Sequence, residues 1–108
     1  MPTFIAIGYG DADGYERTAP DVRGRAHAHD EKLREHGALM GIAGRPVQVR
    51  NPEGAGAHYQ PGTFMSSDLP VAGFTIIEAK DLDHAAALAA DTPCAVAHGV
   101  VEVWPLGD

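Results

Sequence analysis

The chain has 108 residues, of which 44% are hydrophobic and 6% aromatic, and its 8 Lys and Arg against 15 Asp and Glu leave a formal net charge of −7. This is enough for one domain with a single core, spanning residues 1–108, and too apolar for a disordered chain. The acidic balance and the absence of a basic stripe argue against nucleic acid and anionic membranes as partners, and no apolar run approaches the roughly 20 residues that span a bilayer.

Thr3 to Tyr9 is β-branched and aromatic and predicts a first strand, broken by Gly10-Asp11-Ala12-Asp13-Gly14. A helix follows from Pro20-Asp21 to His36, with Pro and an acid suited to its first turn and Gly37 as its C-cap. Ala38 to Ile42 is a second apolar run. Pro46 to Arg50 alternates as a half-exposed strand should, and Asn51-Pro52-Glu53-Gly54 turns the chain toward a weak return strand, Ala57 to Gln60. Pro61 to Pro70 reads as a polar loop able to cover something. Val71 to Ala79 is the strongest strand. Asp81 caps a second helix, Leu82 to Ala90, which Pro93 ends, and Val100 to Leu106 is the last strand.

This order is a split β-α-β pair with an added hairpin, the ferredoxin-like layout of the α+β class. Its helices cover one face of a mainly antiparallel sheet. No third helix is expected for the other face, so a second copy is the simplest cover: a homodimer with sheets face to face. Trp104 alternates to the face opposite Val101 and Val103, where that partner would sit.

One polar residue stands out. Val22, Ala26, His29 and Leu33 fall in a narrow arc of the first helix, while Arg23, Glu31, Lys32, Arg34 and Glu35 point elsewhere. An inward imidazole needs a hydrogen-bond partner or a chemical role. His27 is about 160° away around the helix and is expected at the surface, so the two rings do not make a metal pair. No metal and no cofactor is expected. The single cysteine, Cys94, excludes an internal disulfide and suits a reducing cytoplasm; it reads as packing rather than as a nucleophile. Met1-Pro2-Thr3-Phe4 lacks the basic flank of a secretory signal, and the expected location is cytoplasmic.

In sequence order, Ile7-Gly8-Tyr9-Gly10-Asp11, Leu33 with Gly37, Gly73-Phe74, Asp81-Leu82-Asp83 and Val101-Glu102-Val103-Trp104-Pro105 run nearly end to end. Together they resemble the YCII-related proteins, within them the DGPF-domain branch. The resemblance implies a dimeric α+β barrel. The signature Asp-Gly-Pro-Phe falls on Pro61-Gly62-Thr63-Phe64, which keeps Gly and Phe and loses the Asp, and the stretch Met65-Ser66-Ser67-Asp68 lacks the usual Lys. Trp104 stands where the family usually has Arg. In part of the family a His of the first helix and an Asp before a Pro after the second helix are a proposed catalytic pair. Here Asp91-Thr92-Pro93 carries one extra residue, and His27 and His29 are offset from the family position.

These readings point to a small cofactor-independent enzyme, a lyase or isomerase acting on a small organic metabolite. His29 would move the proton, Asp91 or Asp11 would orient it, and Tyr9, Phe64 and Met65 would contact the substrate. Each has a plainer reading: His29 satisfied by a backbone carbonyl, Asp91 solvated at a helix end, Asp11 a turn residue, Tyr9 a core ring with an exposed hydroxyl, Phe64 and Met65 pins for the long loop. The alternative function is a non-catalytic small-molecule-binding or accessory protein of the same fold. A His29 facing a carboxylate in an open cavity favours the enzyme. One bonded to a backbone carbonyl favours the binding protein.

Overall fold

The structure is a computed structural model that describes residues 1–107. Its strands are β1 (Thr3–Tyr9), β2 (Leu39–Ile42), β3 (Val47–Arg50), β4 (His58–Pro61), β5 (Val71–Glu78) and β6 (Val100–Pro105); its helices are α1 (Ala12–Glu16), α2 (Pro20–Glu35), α3 (Leu82–Ala89) and α4 (Pro93–Val96). The main sheet has the order β2-β5-β1-β6, antiparallel throughout, and β3 and β4 form a separate hairpin. This is the ferredoxin-like α+β fold, with the hairpin inserted between β2 and β5.

Two short helices go beyond the sequence expectation. Asp11, expected to break the chain, instead caps α1: its Oδ1 accepts from the Gly14 amide at 2.9 Å. Pro93, expected to follow a helix end, begins α4, because a proline in the first turn forfeits no helical hydrogen bond. Asp81 caps α3 as expected, accepting from the His84 amide at 2.8 Å.

The strand period sorts the sheet into two faces. Phe4, Ala6 and Gly8 of β1 are paired in register with Ile77, Thr75 and Gly73 of β5, and these six face the helices. Phe4, Ile77, Ala79 and Ala85 form the buried core there, with Leu88 and Val103 packed against it. Burying a Phe or Ile side chain contributes about 1.5–3 kcal/mol. The other face carries Ile5, Ile7 and Tyr9, paired with Ile76, Phe74 and Val71, and reaches Leu39 on β2 and Trp104 on β6. Leu39, Phe74, Ile76 and Trp104 are all exposed.

Candidate functional site

A cleft of about 310 Å³ opens between α2, α4 and the helix-side face of the sheet. Its floor includes Gly8 and Gly73, which are paired across β1 and β5. Two facing positions without side chains hollow out the sheet at this point. A Cβ on Gly8 would lie 2.8 Å from the Cys94 sulfur, and one on Gly73 2.7 Å from the Gly41 carbonyl oxygen, so neither site admits a larger residue without a shift. Leu33, Met40, Ile77 and Val101 give the walls an apolar character.

The polar side chains of this cleft are Asp30, His27 and Arg34 from α2 and Thr75 from β5, with Thr92 and Cys94 at the α4 end. Asp30 is half-buried, and burial pushes its carboxyl above the usual aspartate range, against the opposing pull of Arg34, His27 and His29. Burial also pushes the Cys94 thiol up, and the Asp30 charge adds to that shift. His27 shares a hydrogen bond of 2.8 Å with the Tyr15 hydroxyl, and Arg23 stacks over the Tyr15 ring at 4.8 Å. Arg34 pairs with Glu31. The Thr92 hydroxyl donates to the Ala89 carbonyl at 2.6 Å, tying the end of α3 to the start of α4.

The residues singled out from the sequence fall in other settings. His29 is half-buried, and its Nε2 lies 2.7 Å from the Leu88 carbonyl oxygen. An acceptor there requires the ring to carry its proton on Nε2. Asp91 is exposed after α3, and Asp11 is occupied as the cap of α1. None of the three lines the α2 cleft. Tyr9, Phe64 and Met65 do converge, around a second and larger cleft of about 1080 Å³ formed by the β3–β4 hairpin, the loop after it and the open face of the sheet. The Tyr9 hydroxyl is 3.8 Å from the Met65 sulfur and donates to Glu102 Oε1 at 3.2 Å. Partial desolvation and the adjacent Glu102 carboxylate both push the Tyr9 phenol up.

Asp30 is the polar residue that the sequence reading passed over; His27, expected at the surface, is exposed and also borders this cleft. A signal was present: His27, Asp30 and Arg34 are spaced i, i+3 and i+7, and so share one flank of α2. Among the described residues no group of three or more His, Cys, Asp or Glu is arranged to hold a metal ion, and no helix is long and apolar enough to cross a membrane.

No protein-family model matches the chain, and no curated protein matches it in sequence. Among solved structures it is similar to the 5-chloro-2-hydroxyhydroquinone dehydrochlorinase of Burkholderia phenoliruptrix AC1100, in complex with 2,5-dihydroxybenzoquinone. That likeness covers 97% of this chain and 95% of that one, at 16% identity and a TM-score of 0.46. At this distance no residue role is transferred from it.

Proposed function

We propose that this chain is a small cofactor-independent enzyme of the YCII-related type, a lyase or isomerase that works in the cleft between α2 and the sheet with Asp30 as its acid/base group. The observation that carries this reading is the half-buried Asp30 carboxyl, raised by burial and lining an apolar cleft. A carboxylate lifted toward neutral pH is a stronger base and a more available acid than a solvated one. In an elimination it would take the proton while the leaving group departs, and return it in an isomerisation. His27, Thr92 and Cys94 are near enough to the same space to orient a substrate. The volume suits a compact organic molecule, since clefts for drug-sized ligands run to about 300–1,000 Å³.

The test is a screen of small ring compounds and hydroxy acids for turnover, repeated with Asp30→Asn and His29→Ala. The reading expects Asp30→Asn to lose about 10²–10⁴ in rate, the usual worth of a positioned proton-transfer group. Full turnover in Asp30→Asn refutes it.

A second reading, a non-catalytic small-molecule-binding protein, is favoured by the His29 contact with the Leu88 carbonyl, which leaves the most inward imidazole of α2 out of the cleft. It expects ligands that raise the melting temperature and are recovered unchanged.

The partner proposed for the open face is a second copy of the chain. Leu39, Phe74, Ile76 and Trp104 form an exposed apolar surface of the kind that obligate dimers cover. Sedimentation velocity checks this: Ile76→Lys should hold the chain as a monomer where the wild type sediments as a dimer. A wild type that stays monomeric at high concentration contradicts it.

A further inference from the structure

The larger cleft carries a charge pattern unlike the rest of the molecule. The chain is net −7, yet this cleft is lined by Arg45 and Arg50 and, among the described residues, by no Asp or Glu. Arg17, Arg25 and Arg34 make ion pairs with carboxylates, whereas Arg45 and Arg50 make none among the described residues. Asp68 lies in the same loop but outside the lining, and Glu102 is reached only through the Tyr9 hydroxyl.

Arg50 is also held in place. Its guanidinium donates to Gln48 Oε1 at 3.2 Å and sits over the Phe64 ring at 5.7 Å. Phe64 is 80% exposed, a large aromatic face left bare beside a fixed cation. Val47 and Val49 extend the apolar wall. An aromatic face next to a guanidinium can take a planar ring by stacking and its acid group by ion pairing.

We propose that this cleft is a binding site for an aromatic carboxylate, seated against Phe64 with its acid group toward Arg45 and Arg50. The site lies on the opposite side of the sheet from Asp30, and it stands or falls apart from the acid/base reading. Its volume of about 1080 Å³ accommodates a two-ring acid. The Ser66 hydroxyl adds a polar group suited to a ring substituent, while the Gln48 amide, bonded to the Gly62 and Thr63 carbonyls and to Arg50, braces the rim.

The test is calorimetric titration of the full chain with 2-naphthoate and with 2-naphthamide, its neutral isostere. The site expects saturable binding of the acid, with the amide weaker by about tenfold. Arg45→Gln and Arg50→Gln should each weaken the acid by about threefold and leave the amide unchanged, and added salt should act like the variants. Phe64→Ala should weaken both compounds, and Asp30→Asn neither. Both arginines are exposed, so the variants should fold, which far-ultraviolet circular dichroism confirms. Equal binding of acid and amide, affinity unchanged in both arginine variants, or no saturable binding would overturn the proposal. So would arginine variants that dissociate a wild-type dimer, since the cleft would then serve a second copy.

Discussion

His29 and Asp30, adjacent in sequence, flank the buried stripe of α2 on either side: His29 reaches the Leu88 carbonyl at 2.7 Å, and Asp30 lines the cleft against the sheet. Ala26 and Leu33 are the buried residues of this helix. At about 100° per residue, His29 and Asp30 lie about 50° to either side of their midline. One flank therefore joins α2 to α3, and the other gives the cleft its acid. On the proposed reading, His29 is structural and Asp30 carries the chemistry.

Asp30→Asn should stabilise the fold at neutral pH. An acid whose folded pKa lies above its unfolded value binds its proton more tightly when folded. Its contribution is present below the ordinary carboxylate range and is lost as pH rises through the folded value. Above that value the ionised, half-buried Asp30 opposes folding, and Asn removes the charge. Solvent screening at the cleft keeps the gain below about 1 kcal/mol. Denaturant melts of both proteins at pH 7 and at pH 3 check this: the gap should close at the lower pH. An Asn variant that is less stable at pH 7 contradicts the electrostatic account.

Cys94 should alkylate slowly near neutral pH, because burial and the Asp30 charge both hold its thiol protonated. Asp30→Asn removes the second influence, so more thiolate should be present at any given pH and the reaction with iodoacetamide should be faster. The ratio of rates, followed from pH 7 to above the ordinary thiol value, should shrink as both thiols ionise. An unchanged ratio of one throughout would show that the two groups are not coupled.

His29→Ala should cost stability and leave the cleft chemistry in place. It removes the hydrogen bond to Leu88 and leaves a partly buried carbonyl without that partner, a loss of about 1–3 kcal/mol. Urea unfolding measures the cost. A variant with full stability but no turnover or ligand binding would return the acid/base role to His29.

Gly8→Ala should close the cleft at its floor. The new methyl meets the Cys94 sulfur at 2.8 Å, and overpacking of this kind costs about 1–3 kcal/mol. Cys94→Ala in the same chain makes room for it, so the double variant should recover part of the loss, with a coupling of about 0.5–3 kcal/mol. Additive costs in the four-protein cycle would mean that the strain lies elsewhere.

Long periodic elements are legible in this sequence because burial acts on them directly. The β-branched and aromatic runs of β1 and β5, the Asp81 cap and the Pro20 start of α2 all carry their signals locally. The short helices α1 and α4 are hidden because Gly14 and Pro93 have two meanings, and tertiary contact selects between them. Gly14 must be glycine because a Cβ there would collide with the Ala97 carbonyl, which no local pattern records. The site is less legible still. A hydrophobic arc identifies which side of α2 is inward, but not that one flank meets a helix and the other an empty space. That space follows from the Gly8–Gly73 pairing, which joins residues 65 positions apart. Tyr9, Phe64 and Met65 do share a cleft, yet of the two arginines that give it its charge, Arg50 is legible only as part of a half-exposed strand, and Arg45 lies before that strand with no pattern to single it out.

The most direct measurement is the titration of the Asp30 carboxyl carbon by NMR in the intact chain, with Asp30→Asn used to assign the resonance. The account predicts a midpoint clearly above the ordinary aspartate value of about 3.9, moving higher still when Arg34 is replaced by Gln. A midpoint at or below that value would mean that the cleft holds an ordinary solvated carboxylate, and the acid/base reading would fall with it.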